Sequence, residues 1–224
     1  MKTFHKILML VTLTASGLWA AQPYGRACLT VVDQQATSKN PQGSEQVFAA
    51  GFQPGEGRQL KLYLDANSSC LALIAVFERN SERPANNWWP RLVEVAPWEE
   101  KTLPPPAKKW DWTKGSSEFD FFVIFLEKES PQAGELKKLV EGMKESPEDS
   151  GLLKRQSRKL KDTINQWLSQ SSRIPAQGGS TPPLLAGVVR SPGEFPWREA
   201  CRKIEFGKDQ MGILVFGRES AKKD

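Results

Sequence analysis

Apolar residues in the first half of the chain follow the spacing of β-strands. Leu60, Leu62 and Leu64 alternate with Lys61, Tyr63 and Asp65, the period of two that marks a half-buried strand. The segments 70–77 and 119–126 are almost continuously apolar, which is typical of central strands covered on both faces. Shorter apolar segments predict additional strands at 27–32, 47–52 and 92–95.

The period changes to that of an α-helix after residue 130. Ser130-Pro131 is a helix start signal, and it precedes apolar residues at helical spacing. Ser146-Pro147-Glu148-Asp149 repeats this signal before a longer amphipathic segment. We expect helices at about 131–143 and 148–169 that dock on the β-domain through an apolar stripe. The docking residues are expected to be Leu139, Val140, Leu160, Ile164 and Trp167.

The chain returns to strand patterns near its end. Residues 171–183 are rich in Ser, Gly and Pro and predict a flexible connector. Strands are expected at 184–190, 201–206 and 211–217, the last two joined as a hairpin by Gly207–Gln210. Strands, then helices, then strands predict a mainly β fold with an α insertion: one antiparallel β-sandwich-like domain over 22–224 with two inserted helices at 130–170.

Several of these segments resemble a known family when they are taken in order. They are Gly57–Leu64, the apolar strand 71–77, Trp89-Pro90, Leu103-Pro104-Pro105 and the strand 119–126. This order resembles an uncharacterised bacterial β-domain of unknown function, found in exported proteins and fused to caspase-like peptidases and protein kinases. The resemblance covers about 47–145, with 211–218 as a closing strand. The chain departs from it in its longer helical insertion and in Ser69-Cys70, where a Gly-Tyr pair is expected. The family has no established catalytic residues, so the resemblance implies only a β-sandwich-like module.

Residues 1–21 have the organisation of a cleaved secretory signal peptide. Lys2 and Lys6 precede an apolar stretch too short to span a bilayer, and small residues follow near a cut after Ala20 or Ala21. The alternative is an uncleaved anchor. Cleavage predicts a periplasmic or secreted protein.

The composition of the mature chain excludes several chemistries. The only histidine of the full sequence, His5, lies in the signal peptide, so the mature chain has none. Catalytic Ser-His-Asp and Cys-His arrangements and histidine-containing zinc sites are therefore excluded. Without Lys2 and Lys6, the 31 basic residues become 29 against 26 acidic ones. This mild excess is far from the dense basic stripe of a nucleic-acid-binding protein. We predict no metal, no cofactor and no nucleic-acid partner.

The mature chain contains three cysteines, Cys28, Cys70 and Cys201, and an exported protein enters a compartment that permits disulfides. An odd number leaves at least one thiol unpaired. We predict a Cys28–Cys201 disulfide, because the first strand and a late strand often lie side by side when a sandwich closes.

Tryptophans are concentrated in one irregular segment, at Trp88, Trp89, Trp98, Trp110 and Trp112. Indole rings stack on sugars and anchor protein interfaces, so these five are the candidate ligand- or partner-binding residues. The alternative is that they fill the open end of the sandwich as part of its core.

Two groups of charged side chains allow further interpretations. Lys154, Arg155, Arg158 and Lys159 belong either to the solvated face of a helix or to a peripheral contact with an anionic surface. A glycoside hydrolase would need two of the carboxylates near the tryptophans to face each other across a sugar-binding cleft. These carboxylates are Glu99, Glu100, Asp111 and Asp120.

These observations predict an exported, non-enzymatic binding or assembly protein of the bacterial cell envelope. The first alternative is a glycan- or peptidoglycan-binding module that uses the tryptophan-rich loop. The second is a carboxylate-dependent glycoside hydrolase.

Overall fold

The protein folds into two antiparallel β-sheets with two long helices on one side. The structure is a computed structural model and describes residues 22–33, 44–48, 58–78, 90–105, 110–111, 119–144, 151–171, 197–208 and 210–216. The strands are β1 (Tyr24–Asp33), β2 (Ser44–Val47), β3 (Gln59–Ala66), β4 (Cys70–Glu78), β5 (Arg91–Val95), β6 (Lys101–Leu103), β7 (Trp110–Asp111), β8 (Phe119–Leu126), β9 (Arg202–Glu205) and β10 (Gly212–Phe216). The helices are α1 (Pro131–Lys144), α2 (Gly151–Ser171) and α3 (Trp197–Ala200).

One sheet, called here the outer sheet, is built around β1 and β3. These strands pair in register from Gly25↔Ala66 to Val32↔Gln59. The other edge of β1 is shared by β2 and β9, whereas β6 and β7 share the other edge of β3. Most residues of β1 therefore have a backbone partner on both sides.

The second sheet, called here the central sheet, has the strand order β10-β8-β4-β5. Every residue of β8 is buried. Alternate side chains of a strand point to opposite faces, so Phe121 and Val123 enter the core between the sheets whereas Phe122 and Ile124 face the helices. This double coverage explains why the segment 119–126 is apolar throughout.

Aromatic rings fill the core between the two sheets. Phe125 stacks on Phe206 with centroids 6.2 Å apart, and Phe121 meets Phe216 edge to face. Gly25 is required where β1 crosses Phe125, because a Cβ atom there would lie 2.5 Å from the ring.

Helices α1 and α2 cover the other face of the central sheet. The Ser130 hydroxyl accepts a hydrogen bond from the Ala133 N–H at 3.2 Å and caps α1, as the sequence predicts. The predicted docking residues are all buried, which confirms that the helices pack through their apolar stripe. These residues are Leu139, Val140, Leu160, Ile164 and Trp167.

The predicted fold class, a mainly antiparallel β-sandwich-like domain with two inserted helices, is confirmed.

The predicted C-terminal hairpin is wrong. Backbone hydrogen bonds between Gly207 and Gln210 close a turn, but β9 then joins β1 in the outer sheet and β10 joins β8 in the central sheet. The turn therefore links the two sheets. The predicted signal peptide, the predicted connector beyond Ser171 and the predicted strand 184–190 lie outside the described residues, so the proposed domain limits stay predictions.

Candidate functional site

The side of the outer sheet that faces away from the core, called here the outer face, carries polar and aromatic side chains. Ala27 and Leu29 point into the sandwich core, so Arg26 and Cys28 point outward. Directly paired residues of antiparallel strands share a face. Asp65 and Tyr63 of β3 lie opposite Arg26 and Cys28, and they therefore also belong to the outer face.

The short helix α3 covers the middle of the outer face. It comes immediately before β9, which pairs with the first half of β1, and this connection sets α3 above β1. Trp197 stacks on the Tyr63 ring with centroids 5.8 Å apart and an interplanar angle of 12°. Cys28 is buried in the same cluster, and Cys201 packs against it.

A buried ion pair lies beside this stack. The Arg26 guanidinium donates to both carboxylate oxygens of Asp65, at 2.8 Å from Nε and 2.5 Å from Nη2. Arg198 adds a second contact to Asp65 at 3.5 Å, and only 1% of the Asp65 side chain is exposed. The hydrogen bonds to Asp65 raise the pKa of Arg26. This carboxylate is therefore fully engaged in holding β1, β3 and α3 together.

Glu45 of β2 accepts hydrogen bonds from three neighbouring side chains. It accepts from the Thr30 hydroxyl at 2.6 Å and from the Lys61 ammonium at 3.4 Å. The Tyr63 hydroxyl is also bonded to it. Burial, and then the negative charge of Glu45, raise the pKa of Tyr63, so this phenol stays neutral at physiological pH.

Trp98 extends the outer face at the turn between β5 and β6. Its side chain is 60% exposed, and its φ is 63°. Such a left-handed backbone is rare for a bulky residue, and here the Trp98 N–H donates a 2.7 Å hydrogen bond to the Ala66 carbonyl at the end of β3. The turn therefore presents the indole to solvent from a firmly attached backbone.

Tyr24 contacts the exposed indole, and Lys203 contacts Tyr24. The Tyr24 ring meets Trp98 edge to face at 6.1 Å, and the Lys203 ammonium lies 4.0 Å from the centroid of Tyr24. Backbone atoms of Tyr24 are bonded to Asn67, whose side-chain oxygen accepts from the Tyr24 N–H at 2.6 Å. We call Trp98, Tyr24 and Lys203 the Trp98 rim.

The structure describes only one of the five predicted tryptophan side chains. Trp98 is exposed, whereas Trp110 lies opposite Leu60 in the β3–β7 ladder and its side chain is not among those described. Trp88, Trp89 and Trp112 lie outside the described residues. The assignment of these four to a binding site stays a prediction.

The candidate carboxylates are divided between two sides of the molecule. Asp120 is buried on the helix-facing side of β8, opposite Phe77. Glu99 and Glu100 are exposed beside the outer sheet, where Glu99 pairs with Lys101 and Glu100 with Arg198. The structure therefore does not bring Asp120 together with Glu99 or Glu100. The side chain of Asp111 is outside the described set.

The three cysteines are free thiols, so the predicted Cys28–Cys201 disulfide is not formed in this structure. Burial raises the pKa of Cys28 and of Cys70, each to about 12. Within the described ranges, no cluster of three or more His, Cys, Asp or Glu side chains is arranged to hold a metal ion.

The basic residues of α2 lie on the exposed side of the helical layer. Lys154, Arg155, Arg158 and Lys159 are all exposed, and Leu152 near the start of the helix is 55% exposed. Their contact with an anionic surface stays a prediction. None of the helices in the described part of the chain is both long and apolar enough to cross a membrane.

Sequence patterns alone do not identify most of the outer face. Tyr63 and Asp65 occupy the polar positions of an alternating strand, the usual sign of solvent exposure. Their burial depends on Trp197 and Arg198, which are far away along the chain. A tryptophan next to an arginine just before a late strand was the one available indication.

The chain matches no protein-family model, no curated protein and no solved structure.

Proposed function

We propose that this chain is an exported, non-enzymatic binding or assembly protein of the bacterial cell envelope, and that it contacts its partner through the Trp98 rim. The observation that carries this proposal is the conformation of Trp98. Its indole is 60% exposed although its backbone adopts a φ of 63°.

Both properties of Trp98 are unfavourable for the isolated chain. A left-handed backbone costs an L-residue about 1–2 kcal/mol, and an exposed indole leaves a large apolar surface in water. Glycine would remove the first cost, and a polar residue would remove the second. A tryptophan with both costs is understandable if a partner covers its ring, since tryptophan is enriched among the residues that dominate binding energy.

The surroundings of Trp98 suit a protein partner. Tyr24 provides a second ring, and Lys203 and Arg26 lie over that ring as cations at 4.0 Å and 5.8 Å. Aromatic side chains and arginine are enriched at protein interfaces. The hydrogen bonds of Trp98 to Ala66 and of Tyr24 to Asn67 keep the rim ordered before binding, which lowers the entropic cost of association.

A glycan or peptidoglycan ligand is the second candidate, and the flat exposed face of Trp98 favours it. Sugar rings stack on indoles, and the exposed carboxylates of Glu99 and Glu100 follow Trp98 directly as acceptors for sugar hydroxyls. The glycoside hydrolase alternative has less support, because Asp120 lies on the other side of the sandwich from Glu99 and Glu100.

The experiment compares Trp98→Ala with Leu152→Ala, which removes an exposed apolar side chain on the opposite side of the protein. The mature proteins are immobilised and incubated with detergent-solubilised envelope, and in parallel they are co-sedimented with purified peptidoglycan sacculi. We expect Trp98→Ala to weaken capture of a specific envelope protein by roughly tenfold or more, with Leu152→Ala unchanged.

The two candidates give different results in this experiment. Loss of sacculus binding in Trp98→Ala alone would favour the glycan ligand over a protein. Equal capture by wild type and both variants, in both assays, would contradict a binding role for the rim.

A further inference from the structure

The ladder between β1 and β9 brings two cysteines to neighbouring positions. Its last pair is Ala27↔Arg202, and the next residues along the two strands are Cys28 and Cys201. Cys28 and Cys201 lie one residue beyond this ladder, and continuing its register by one pair would set their Cα atoms about 4.5–5.5 Å apart, a spacing within the range of disulfides. Both residues belong to one cluster under α3.

The two thiols differ in accessibility. Cys28 is 1% exposed beneath Trp197, whereas Cys201 is partly exposed and its thiol donates to the Arg198 carbonyl at 3.0 Å. The third cysteine, Cys70, is completely buried in the core between the sheets. The outer-face pair is therefore separated from Cys70 by the packing of the sandwich.

We propose that Cys28 and Cys201 are a redox pair, in which the dithiol of this structure is oxidised to an intramolecular disulfide that fastens α3 to β1. The oxidant is a disulfide, either a small molecule such as oxidised glutathione or an oxidised dithiol protein of an export compartment. Arg198 connects α3 to Asp65 and Glu100. The disulfide would therefore also hold these contacts in place.

Accessibility sets the order of the exchange. The Cys201 thiolate attacks one sulfur of the donor, the donor S–S bond breaks, and the first leaving thiolate takes up the proton that Cys201 lost. The Cys28 thiolate then attacks the Cys201 sulfur of this mixed disulfide. The second donor thiolate leaves with the proton from Cys28, so two protein thiols are oxidised and one donor disulfide is reduced to two thiols.

The electrostatics of the cluster agree with Cys201 as the entry point. Burial raises the pKa of both thiols, to about 12 for Cys28. At Cys201 the charges of Arg26 and Arg198 oppose this rise in pKa, whereas the charge of Asp65 adds to it. Thiolate formation is thus easier at the more accessible sulfur. Oxidation is expected to be slow and to accelerate when α3 opens.

The test uses the purified mature chain, first reduced and then incubated with excess oxidised glutathione without denaturant. Alkylation and peptide mapping are expected to give one linked peptide pair, Cys28 with Cys201, and an unmodified Cys70. Because the bridge closes a very long loop, the oxidised protein is expected to melt roughly 5–15 °C above the reduced one. Linkage to Cys70 would overturn the proposal. Three free thiols, under conditions that oxidise the denatured chain, would also overturn it.

Single variants test the order of exchange. Cys28→Ala is expected to accumulate a glutathione adduct on Cys201, whereas Cys201→Ala leaves the buried Cys28 unmodified and abolishes the redox shift in melting temperature. Cys70→Ala is the matched control and keeps that shift. If Cys28→Ala does not fold, Cys201→Ala still decides the question. Its substitution is at a partly exposed position, so this variant is expected to fold. A redox shift that persists in Cys201→Ala contradicts the pair.

Discussion

Trp98 and Tyr24 meet edge to face with their ring centroids 6.1 Å apart, although they come from the β5–β6 turn and the first residue of β1. Both are attached to the end of β3. The Trp98 N–H donates to the carbonyl of Ala66, and the next residue, Asn67, exchanges hydrogen bonds with the backbone of Tyr24. The pair is thus a rigid feature of the sandwich, and its exposed indole is available to a partner.

Substitutions at Trp98 should separate backbone strain from side-chain contact. We expect Trp98→Ala to cost about 0.5–1.5 kcal/mol, since the contact with Tyr24 is lost. Trp98→Gly is expected to be more stable than Trp98→Ala by about 0.5–1 kcal/mol, because glycine accepts a φ of 63° without steric cost. Urea unfolding measures both. A glycine variant that is less stable than the alanine variant would contradict the proposed strain.

The ion pair of Arg26 and Asp65 should be important for stability. Arg26→Met leaves a carboxylate that is 1% exposed and that, among the described residues, keeps a 3.5 Å contact to Arg198, and we expect a loss of about 2–4 kcal/mol. The double variant Arg26→Met/Asp65→Leu removes the stranded charge and should recover much of this loss. Denaturant unfolding of the single and double variants tests the prediction. A double variant no more stable than Arg26→Met would argue against it.

The buried thiols predict a loss of stability in alkali. Burial raises the pKa of Cys28 from 9.0 to about 12, so the folded state retains a proton that the unfolded state releases. The stabilising contribution is complete below pH 9 and falls by about 1.4 kcal/mol per pH unit between 9 and 12. Cys70 has the same shift, and the raised pKa of Tyr63 acts in the same direction above pH 10.

Unfolding free energies of the reduced protein between pH 7 and pH 11 test this dependence. Cys28→Ala is expected to reduce the slope above pH 9, whereas Tyr63→Phe reduces it only above pH 10. A stability that stays constant up to pH 11 would be inconsistent with thiols that are buried in the folded state.

Two apolar residues of α2 should differ strongly in their contributions to stability. Ile164 is completely buried against the central sheet, so Ile164→Ala is expected to cost about 2–5 kcal/mol. Leu152 is 55% exposed, and Leu152→Ala is expected to change stability by less than about 0.5 kcal/mol. Thermal melting of the two variants compares them directly. Similar losses would mean that Leu152 is covered in solution.

Local patterns were sufficient to predict the long strands β1, β3, β4 and β8 and the two long helices, but not β6, β7 or α3. The continuous apolar segment 119–126 reflects the coverage of both faces of β8, and the alternation at Leu60, Leu62 and Leu64 identifies the face of β3 that enters the core. The Ser130 cap and the apolar stripe likewise predicted α1, and the apolar stripe predicted most of α2.

Long-range pairing could not be predicted in the same way. The turn at Gly207–Gln210 has the composition of a hairpin, but its strands enter different sheets because β9 completes an edge of β1. The burial of Asp65 depends on α3, which lies far away in the sequence. The exposure of Trp98 could not be predicted either. It depends on the conformation of the β5–β6 turn, about which the clustering of tryptophans in the sequence gives no information.

The Trp98 rim is proposed to contact a partner in the cell envelope. The most direct measurement is site-specific photo-crosslinking in living cells, with a photoreactive phenylalanine derivative at position 98 and, as the control, at position 152. We expect a discrete adduct from position 98 that is absent from position 152, sensitive to protease for a protein partner or to a muramidase for peptidoglycan. An adduct only from position 152, or none from position 98 at native expression levels, would contradict a binding role for the Trp98 rim.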